Sequence, residues 1–147
     1  MITGIQHVGI VVGDINRSID FYRNILGLEV GEKWEFEPGA TLGSNMKLPR
    51  RAVFINTKNA SFELLDLGEN MKTKPEGAGG STVGLHHIAF NVEKIHDFAA
   101  SLGKKGIRFT TGPVDLKDIT VAFFEDPDGN MLELFERKQR SSQYKQD

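Results

Sequence analysis

Two histidines and two glutamates stand at matched places in the two halves of the sequence. His7 and His87 each open a short apolar stretch and lie 80 positions apart, while Glu63 and Glu133 lie 70 positions apart. Two imidazoles and two carboxylates suit one divalent first-row metal ion such as Zn, Ni, Co, Mn or Fe. If the four side chains converge on one cleft, such an ion keeps open positions for water or substrate oxygens.

Each of these residues also has an ordinary structural explanation. A single strand histidine is more often a hydrogen-bonded core residue than a metal ligand, and a strand glutamate more often faces solvent. Equivalent placement in two repeated modules favours the metal site, because chance seldom repeats a whole set of four. His86 precedes His87, and adjacent strand residues face opposite sides, so we expect only His87 to point into a cleft.

The first half of the sequence predicts one helix among strands, in the order strand–helix–strand–strand–strand. Asp14 stands where a helix N-cap is expected, apolar residues follow at helical spacing, and Gly27 ends the pattern. The predicted strands, which are rich in apolar and β-branched residues, are residues 7–12, 28–30, 52–56 and 61–66. Proline and glycine punctuate residues 31–51, which we therefore expect to form a long loop or flap.

The second half repeats this order. Apolar residues from Ile95 to Leu102 recur at helical spacing, and residues 126–130 are a strong turn signal between two strands. The predicted strands of this half are residues 87–92, 107–109, 119–124 and 131–136. The repeat predicts an α+β fold made of two βαβββ modules.

The modules share one predicted domain over residues 1–137. Module 1 covers residues 4–67 and module 2 covers residues 84–137. Between them, residues 68–83 are rich in Gly, Lys and Thr and are predicted to be a linker. The polar residues 138–147 are predicted to be a loose tail.

Composition excludes several classes of protein. The 147-residue chain contains no cysteine, which rules out a disulfide framework, a thiolate zinc site and a cysteine nucleophile. Its 18 Lys and Arg against 20 Asp and Glu give a formal charge of −2, which attracts neither nucleic acid nor an acidic membrane surface. No stretch approaches the roughly 20 apolar residues that span a bilayer, and no basic signal-peptide start is present. We expect a cytoplasmic protein that binds neither nucleic acid nor membranes.

Residues 31–51 contain two further groups of interest. A basic cluster of Lys47, Arg50 and Arg51 could meet a substrate carboxylate or phosphate, although a solvated loop is the simpler explanation. Apolar side chains in the same region could line a pocket or be ordinary packing, namely Trp34, Phe36 and Met46.

Several segments together resemble the vicinal oxygen chelate superfamily. They are HVGIVVGD at 7–14, SIDFY at 18–22, LGL at 26–28, GLHHIAF at 84–90 and EDPDGNMLEL at 125–134. The superfamily includes glyoxalase I, methylmalonyl-CoA epimerase, extradiol dioxygenases, fosfomycin-resistance thiol transferases and bleomycin-binding proteins. The resemblance covers about residues 4–137 and implies two βαβββ modules that form an open half-barrel around one metal ion. It places the metal ligands at His7, Glu63, His87 and Glu133.

Within the superfamily, the full His/Glu/His/Glu set is similar to the bacterial glyoxalase I type. That similarity implies a metal-dependent lyase or isomerase that moves a proton through a metal-bound enediolate of a small α-oxo compound or its thiol adduct. It also implies that Glu133 is the carboxylate that moves the proton, with Glu63 as its counterpart. A homodimer is expected by analogy, because related half-barrels complete themselves across a two-fold interface.

Departures from the family pattern leave the thiol partner open. The arginine and the asparagine that accompany glutathione binding are absent from residues 10–13 and 64–67. One alternative is an isomerase similar to methylmalonyl-CoA epimerase. That family often has glutamine where Glu63 stands, and it has a separate carboxylate base for which this sequence shows no obvious counterpart in the strand around Val53. The other is a non-catalytic protein of the same fold that binds a small molecule such as an antibiotic.

Overall fold

A computed structural model describes residues 1–69, 71 and 83–138 and contains both predicted βαβββ modules. Its contacts divide the chain into two units, one of Met1–Glu76 with Pro127–Gly129 and one of Gly77–Asp126 with Asn130–Asp147. Most of the predicted linker at 68–83 and of the predicted tail at 138–147 lies outside the described residues. The predicted module boundaries therefore stay predictions.

The first unit holds a four-stranded sheet, a helix and a small hairpin. In chain order its elements are β1 Val8–Val11, α1 Ile15–Asp20 with a π-helical continuation Phe21–Ile25, β2 Glu29–Glu35, β3 Thr41–Leu42, β4 Met46–Lys47, β5 Arg51–Asn56 and β6 Ser61–Asp66. The sheet has the order β1–β6–β5–β2, with β1 parallel to β6 and the other neighbours antiparallel. The hairpin pairs β3 with β4.

Helix α1 begins where its cap is predicted. The Asp14 carboxylate accepts hydrogen bonds from the backbone N–H groups of Asn16 and Arg17, at 3.0 and 3.1 Å, and so satisfies donors that the first turn leaves free. The helix and its π-helical continuation cover one face of the sheet. There the fully buried Tyr22 ring packs edge-on against Phe62 of β6, with ring centroids 5.0 Å apart.

Residues Pro127–Gly129 belong to the first unit and support the start of α1. The Asp128 carboxylate is only 6% exposed. It accepts hydrogen bonds from the Gly13 N–H at 3.2 Å and the Ser18 hydroxyl at 3.4 Å, and the Arg17 guanidinium lies 3.5 Å away. These partners offset the cost of removing the carboxylate from water.

The prediction of a long loop over residues 31–51 is wrong in part. Strand β2 continues through this region, with an irregular register between Val30 and Lys33, and β3 and β4 form a hairpin. The glycine signal marks real turns, since Gly43 between β3 and β4 has a positive φ of 64°. The strand predicted at 28–30 thus extends to Glu35, and this extension was not predicted because its pairing with β5 is not local in sequence.

The second unit repeats the first without the small hairpin. Its elements are β7 His87–Asn91, α2 Ile95–Lys104, β8 Phe109–Asp115, β9 Ile119–Glu125 and β10 Met131–Arg137. The sheet order is β7–β10–β9–β8, with β7 parallel to β10 and the other neighbours antiparallel. The strand predicted at 107–109 actually begins at Phe109 and runs on to Asp115. None of the helices in the described ranges is long and apolar enough to cross a membrane.

Helix α2 is capped by a residue far away in sequence. Lys94 stands at the N-cap with a left-handed φ of 54°, and its own side chain makes no capping hydrogen bond. Instead, the Glu136 carboxylate of β10 accepts hydrogen bonds from the N–H groups of Lys94 and Ile95, at 2.6 and 3.2 Å. The cap therefore fastens the start of α2 to the sheet that it covers.

Candidate metal centre

The first unit brings His7 and Glu63 together. The register of β1 on β6 sets Gly9 opposite Glu63. Phe62 and Leu64, the neighbours of Glu63 on β6, are buried, so strand alternation turns the glutamate to the opposite face. His7 stands just before β1, and its Nε2 lies 3.2 Å from Oε2 of Glu63.

The second unit repeats this pair with His87 and Glu133. Strand β7 runs parallel to β10, with Ala89 opposite Glu133. Leu132 and Leu134 are buried on either side of the glutamate. His87 Nε2 lies 2.8 Å from Oε2 of Glu133. The predicted relation between the halves is therefore present in the side chains as well as in the strands.

In each unit, a phenylalanine on the neighbouring antiparallel strand lies directly opposite the glutamate and packs edge-on against the histidine. The strand is β5 in the first unit and β9 in the second. The Phe54 ring lies 5.3 Å from the His7 ring at 81°, and the Phe123 ring lies 5.7 Å from the His87 ring at 88°. Such edge-to-face contacts restrict how the imidazoles turn. Neither phenylalanine was predicted as part of the site, although strand pairing across the two predicted hairpins is a signal that would have found them.

The residue before each histidine also takes part. The Gln6 side-chain oxygen hydrogen-bonds Nδ1 of His7. His86 Nδ1 lies 2.8 Å from Nδ1 of His87, with the two rings edge-on. Strand β7 begins only at His87, so strand alternation does not apply to His86, and the two rings are in contact. The expectation that only His87 points into a cleft stays a prediction.

The described residues thus bring the four predicted ligands together as two pairs, one in each unit. Within either unit, the described part of the chain contains no group of three or more His, Cys, Asp or Glu side chains that could hold a metal ion. Two adjacent ligands at right angles, each about 2.1 Å from one ion, lie about 3.0 Å apart. The observed separations of 3.2 and 2.8 Å fit that spacing, so each pair is suited to supply two neighbouring ligands.

The basic cluster of the first unit is largely occupied by partners inside the protein. The Arg50 guanidinium donates to Asp66 at 3.1 Å, and Arg51 lies 3.7 Å from the Glu35 carboxylate. These pairings hold both guanidinium groups on carboxylates of the same unit rather than in a solvated loop, and the hypothesis of a site for a substrate anion stays a prediction.

The apolar side chains nearby lie partly in solvent. Trp34 on β2 is 51% exposed, its ring centroid lies 6.3 Å from that of Phe36, and its indole N–H donates to Glu32 at 3.2 Å. Met46 on β4 is also exposed. These contacts are those of a surface strand, and the pocket hypothesis stays a prediction.

Comparison with known proteins identifies the family. The sequence model of the Glyoxalase/Bleomycin resistance protein/Dioxygenase superfamily matches residues 4–134. The chain belongs to this superfamily. The match confirms the resemblance to the vicinal oxygen chelate proteins and the predicted α+β class of βαβββ modules.

Individual members of the superfamily match nearly the whole chain. A Synechocystis protein named "Probable lactoylglutathione lyase" is 32% identical over 136 residues, which are 88% of this chain and 92% of that protein. The human "Methylmalonyl-CoA epimerase, mitochondrial" is 30% identical over 138 residues, covering 88% of this chain and 72% of the epimerase. The crystal structure of SMU.1112c superposes with a TM-score of 0.69 at 29% identity, covering 92% of this chain and all of that one. Similarity to a glyoxalase-type enzyme is thus established, while the superfamily also contains proteins of other function.

Proposed function

We propose that the protein is a metal-dependent lyase or isomerase of the glyoxalase I type, in which His7, Glu63, His87 and Glu133 hold one divalent ion. The observation that carries the proposal is the repeated pair, in which each unit sets an imidazole Nε2 within hydrogen-bond distance of a glutamate Oε2. The similarity to a probable lactoylglutathione lyase over nearly the whole chain adds support.

The donor set limits the ion that the site would hold. Neutral imidazole nitrogens and carboxylate oxygens suit Zn, Ni, Co, Mn or Fe(II), and the absence of thiolates disfavours softer metals. A divalent ion bound by these side chains would stabilise negative charge that develops on substrate oxygens. The two carboxylates would leave such a site with little net charge, which lowers the cost of holding the ion in a partly buried place.

The substrate class that we propose is a small α-oxo compound or its thiol adduct. In the thiol adduct, isomerisation moves the carbon-bound proton to the neighbouring carbonyl carbon, while the hydroxyl proton passes to the former carbonyl oxygen. Substrate and product therefore contain the same atoms, and no oxidant is required. A positioned carboxylate can remove and return that proton. The thiol is left open, because residues 10–13 lack the arginine and residues 64–67 lack the asparagine expected for glutathione.

Glu133 is the carboxylate that we assign to proton transfer, with Glu63 as its counterpart. The family resemblance supports the assignment, and so does burial, since the Glu133 side chain is 10% exposed whereas the Glu63 side chain is 18% exposed. A less hydrated carboxylate has fewer hydrogen bonds to water to lose when it takes up the substrate proton. It also interacts more strongly with its neighbours.

An epimerase that acts on an acyl-CoA is the second candidate function. It is favoured by the 30% identity to human methylmalonyl-CoA epimerase, and its proton removal next to a carbonyl needs the same kind of site. The glutamate at position 63 argues for the glyoxalase type, because the epimerases often have glutamine there. A binding protein without chemistry is disfavoured, because such relatives usually replace the ligand residues and this chain keeps all four.

The test begins with the metal content of untagged protein that has been purified without a chelator. Elemental mass spectrometry should find about one Ni, Co, Mn, Zn or Fe per chain, as expected for a single four-ligand site. The loaded protein is then assayed with methylglyoxal and several thiols, and separately for acyl-CoA epimerisation. Failure to retain any of these ions after incubation would overturn the metal-dependent function.

The variant Glu133→Gln tests the assigned role. Glutamine keeps the size of the side chain and an oxygen donor but cannot take up a proton, so we expect turnover to fall by about a hundredfold or more while the circular dichroism spectrum is unchanged. Glu29→Gln, on the exposed start of β2, is the matched control and should keep full activity. Full activity in Glu133→Gln would remove this residue as the base.

A further inference from the structure

Each candidate ligand histidine has a polar neighbour on the ring nitrogen that faces away from its glutamate. Nδ1 of His7 hydrogen-bonds the side-chain oxygen of Gln6, and Nδ1 of His87 lies 2.8 Å from Nδ1 of His86. In both units the neighbour is the exposed residue immediately before the histidine. The position repeats between the units although the residue type does not.

The chemistry of a neutral imidazole gives these neighbours a role. The ring carries one N–H and one lone pair, so an Nε2 that binds a metal ion requires the proton on Nδ1. The amide oxygen of Gln6 can only accept, which makes the Nδ1–H of His7 the donor. His86 accepts from the Nδ1–H of His87 when its own proton is on Nε2.

We propose that Gln6 and His86 are positioning residues of the metal centre, which hold the Nδ1–H groups of His7 and His87 and so present Nε2 to the ion. This inference rests on the proposed metal site. Partners of this kind around metal-binding histidines change metal affinity by about 10- to 100-fold when they are removed.

A purely structural role predicts a different outcome. Gln6 and His86 are both exposed and precede the first strand of their units, so they contribute little to the buried core. Their removal should therefore leave the stability of the metal-free protein unchanged. A loss confined to metal affinity distinguishes positioning from packing.

The experiment compares variants that keep or remove an acceptor at each position. Gln6→Glu and His86→Asn retain a polar acceptor near Nδ1, whereas Gln6→Leu and His86→Leu do not. The dissociation constant for Co(II) is measured by competition with a chromophoric chelator, and the thermal midpoint is measured on metal-free protein. Thr3→Leu and His96→Leu are matched controls, since Thr3 is an exposed residue of the same N-terminal segment and His96 is exposed on α2.

We expect the leucine variants at positions 6 and 86 to bind Co(II) about 10- to 100-fold more weakly, with metal-free thermal midpoints unchanged. The acceptor-retaining variants and both controls should bind as the unsubstituted protein does. This inference alone would be overturned if the leucine variants bound Co(II) as tightly as the unsubstituted protein does. It would also be overturned if their metal-free thermal midpoints fell below that of the unsubstituted protein. If the unsubstituted protein binds no ion, the proposed function fails and this inference fails with it.

Discussion

The two His–Glu pairs differ in how far they are shielded from water. Nε2 and Oε2 are 2.8 Å apart in the His87–Glu133 pair and 3.2 Å apart in the His7–Glu63 pair, and Glu133 is the more buried carboxylate. Shielding strengthens electrostatic interactions at a residue. The second pair is therefore the better candidate for the side of the site where proton transfer takes place.

A separate carboxylate in the second unit makes a prediction about pH. The Thr120 hydroxyl donates to Asp115 at 2.7 Å and lowers the pKa of Asp115 below its usual value of 3.8, and the Lys138 ammonium at 3.2 Å lowers this pKa further. A lowered folded-state pKa stabilises the protein above the unfolded pKa, and the contribution is lost as pH falls through the folded pKa. Asp115→Asn should therefore be less stable than the unsubstituted protein at neutral pH.

Thermal midpoints measured from neutral pH down to strongly acidic pH check this prediction. The difference between Asp115→Asn and the unsubstituted protein should shrink once the pH is below the usual pKa of 3.8. Asp97→Asn, an exposed aspartate on α2, serves as the control and should show a small difference throughout. A constant difference for Asp115→Asn at all pH values would contradict the assigned cause.

The two helices begin in different ways although their modules repeat. Helix α1 has a local cap, because Asp14 bonds to the N–H groups of its own first turn. Helix α2 begins at a left-handed Lys94 and relies on Glu136 from β10. Local capping is a property of nearby residues, whereas the second cap requires that helix and sheet have already packed together.

Substitution of Glu136 tests the cap of α2. Glu136→Ala should lower the free energy of unfolding by about 1 kcal/mol, as the loss of a helix cap typically does, because two backbone N–H groups lose their acceptor. Glu136→Gln keeps one acceptor oxygen, so its free energy of unfolding should fall by less than that of the alanine variant. Urea denaturation of both variants, with the exposed Glu93→Ala as the control, measures the effect. An alanine variant as stable as the control would show that the cap is not needed.

For the molecule as a whole, the proposed site needs ligands from both units. If one ion is shared by both pairs, His7→Ala and His87→Ala should each remove nearly all the bound metal, because three ligands hold an ion much less tightly than four. If each pair binds an ion of its own, either substitution should remove only half of the bound metal. Elemental analysis of the two variants beside the unsubstituted protein separates these cases, with His96→Ala as the control.

The unsubstituted protein from the metal analysis also tests the expected homodimer. If the homodimer expected by analogy forms, light scattering after size exclusion should give twice the chain mass of 16.3 kDa. A monomer that still binds one ion per chain would show that a single chain supplies all the ligands. A monomer without metal would argue against both the dimer and the shared site.

The sequence by itself determined the repeat, the type of each main element and the four chemically competent residues, because these depend on local patterns. Period-2 and helical spacing, the cap at Asp14 and the turn at residues 126–130 are readable from neighbouring residues. The structure confirms the cap, and it confirms the turn, where the Asn130 N–H donates to the Asp126 carboxylate at 2.8 Å. Strands β2 and β8 were only partly predicted, because residues 31–35 and 110–115, which extend them, are mostly exposed and lack the apolar alternation of a half-buried strand.

Only the tertiary structure decided which atoms meet. His7 and Glu63 are distant in sequence and come together because β1 pairs with β6 in one particular register. A shift of one residue would turn Glu63 toward the face that α1 covers. The contacts of Gln6 and His86 also depend on where a strand begins, which the alternation rule alone did not reveal. Residue type and periodicity are local properties, whereas side-chain pairing follows from long-range strand register.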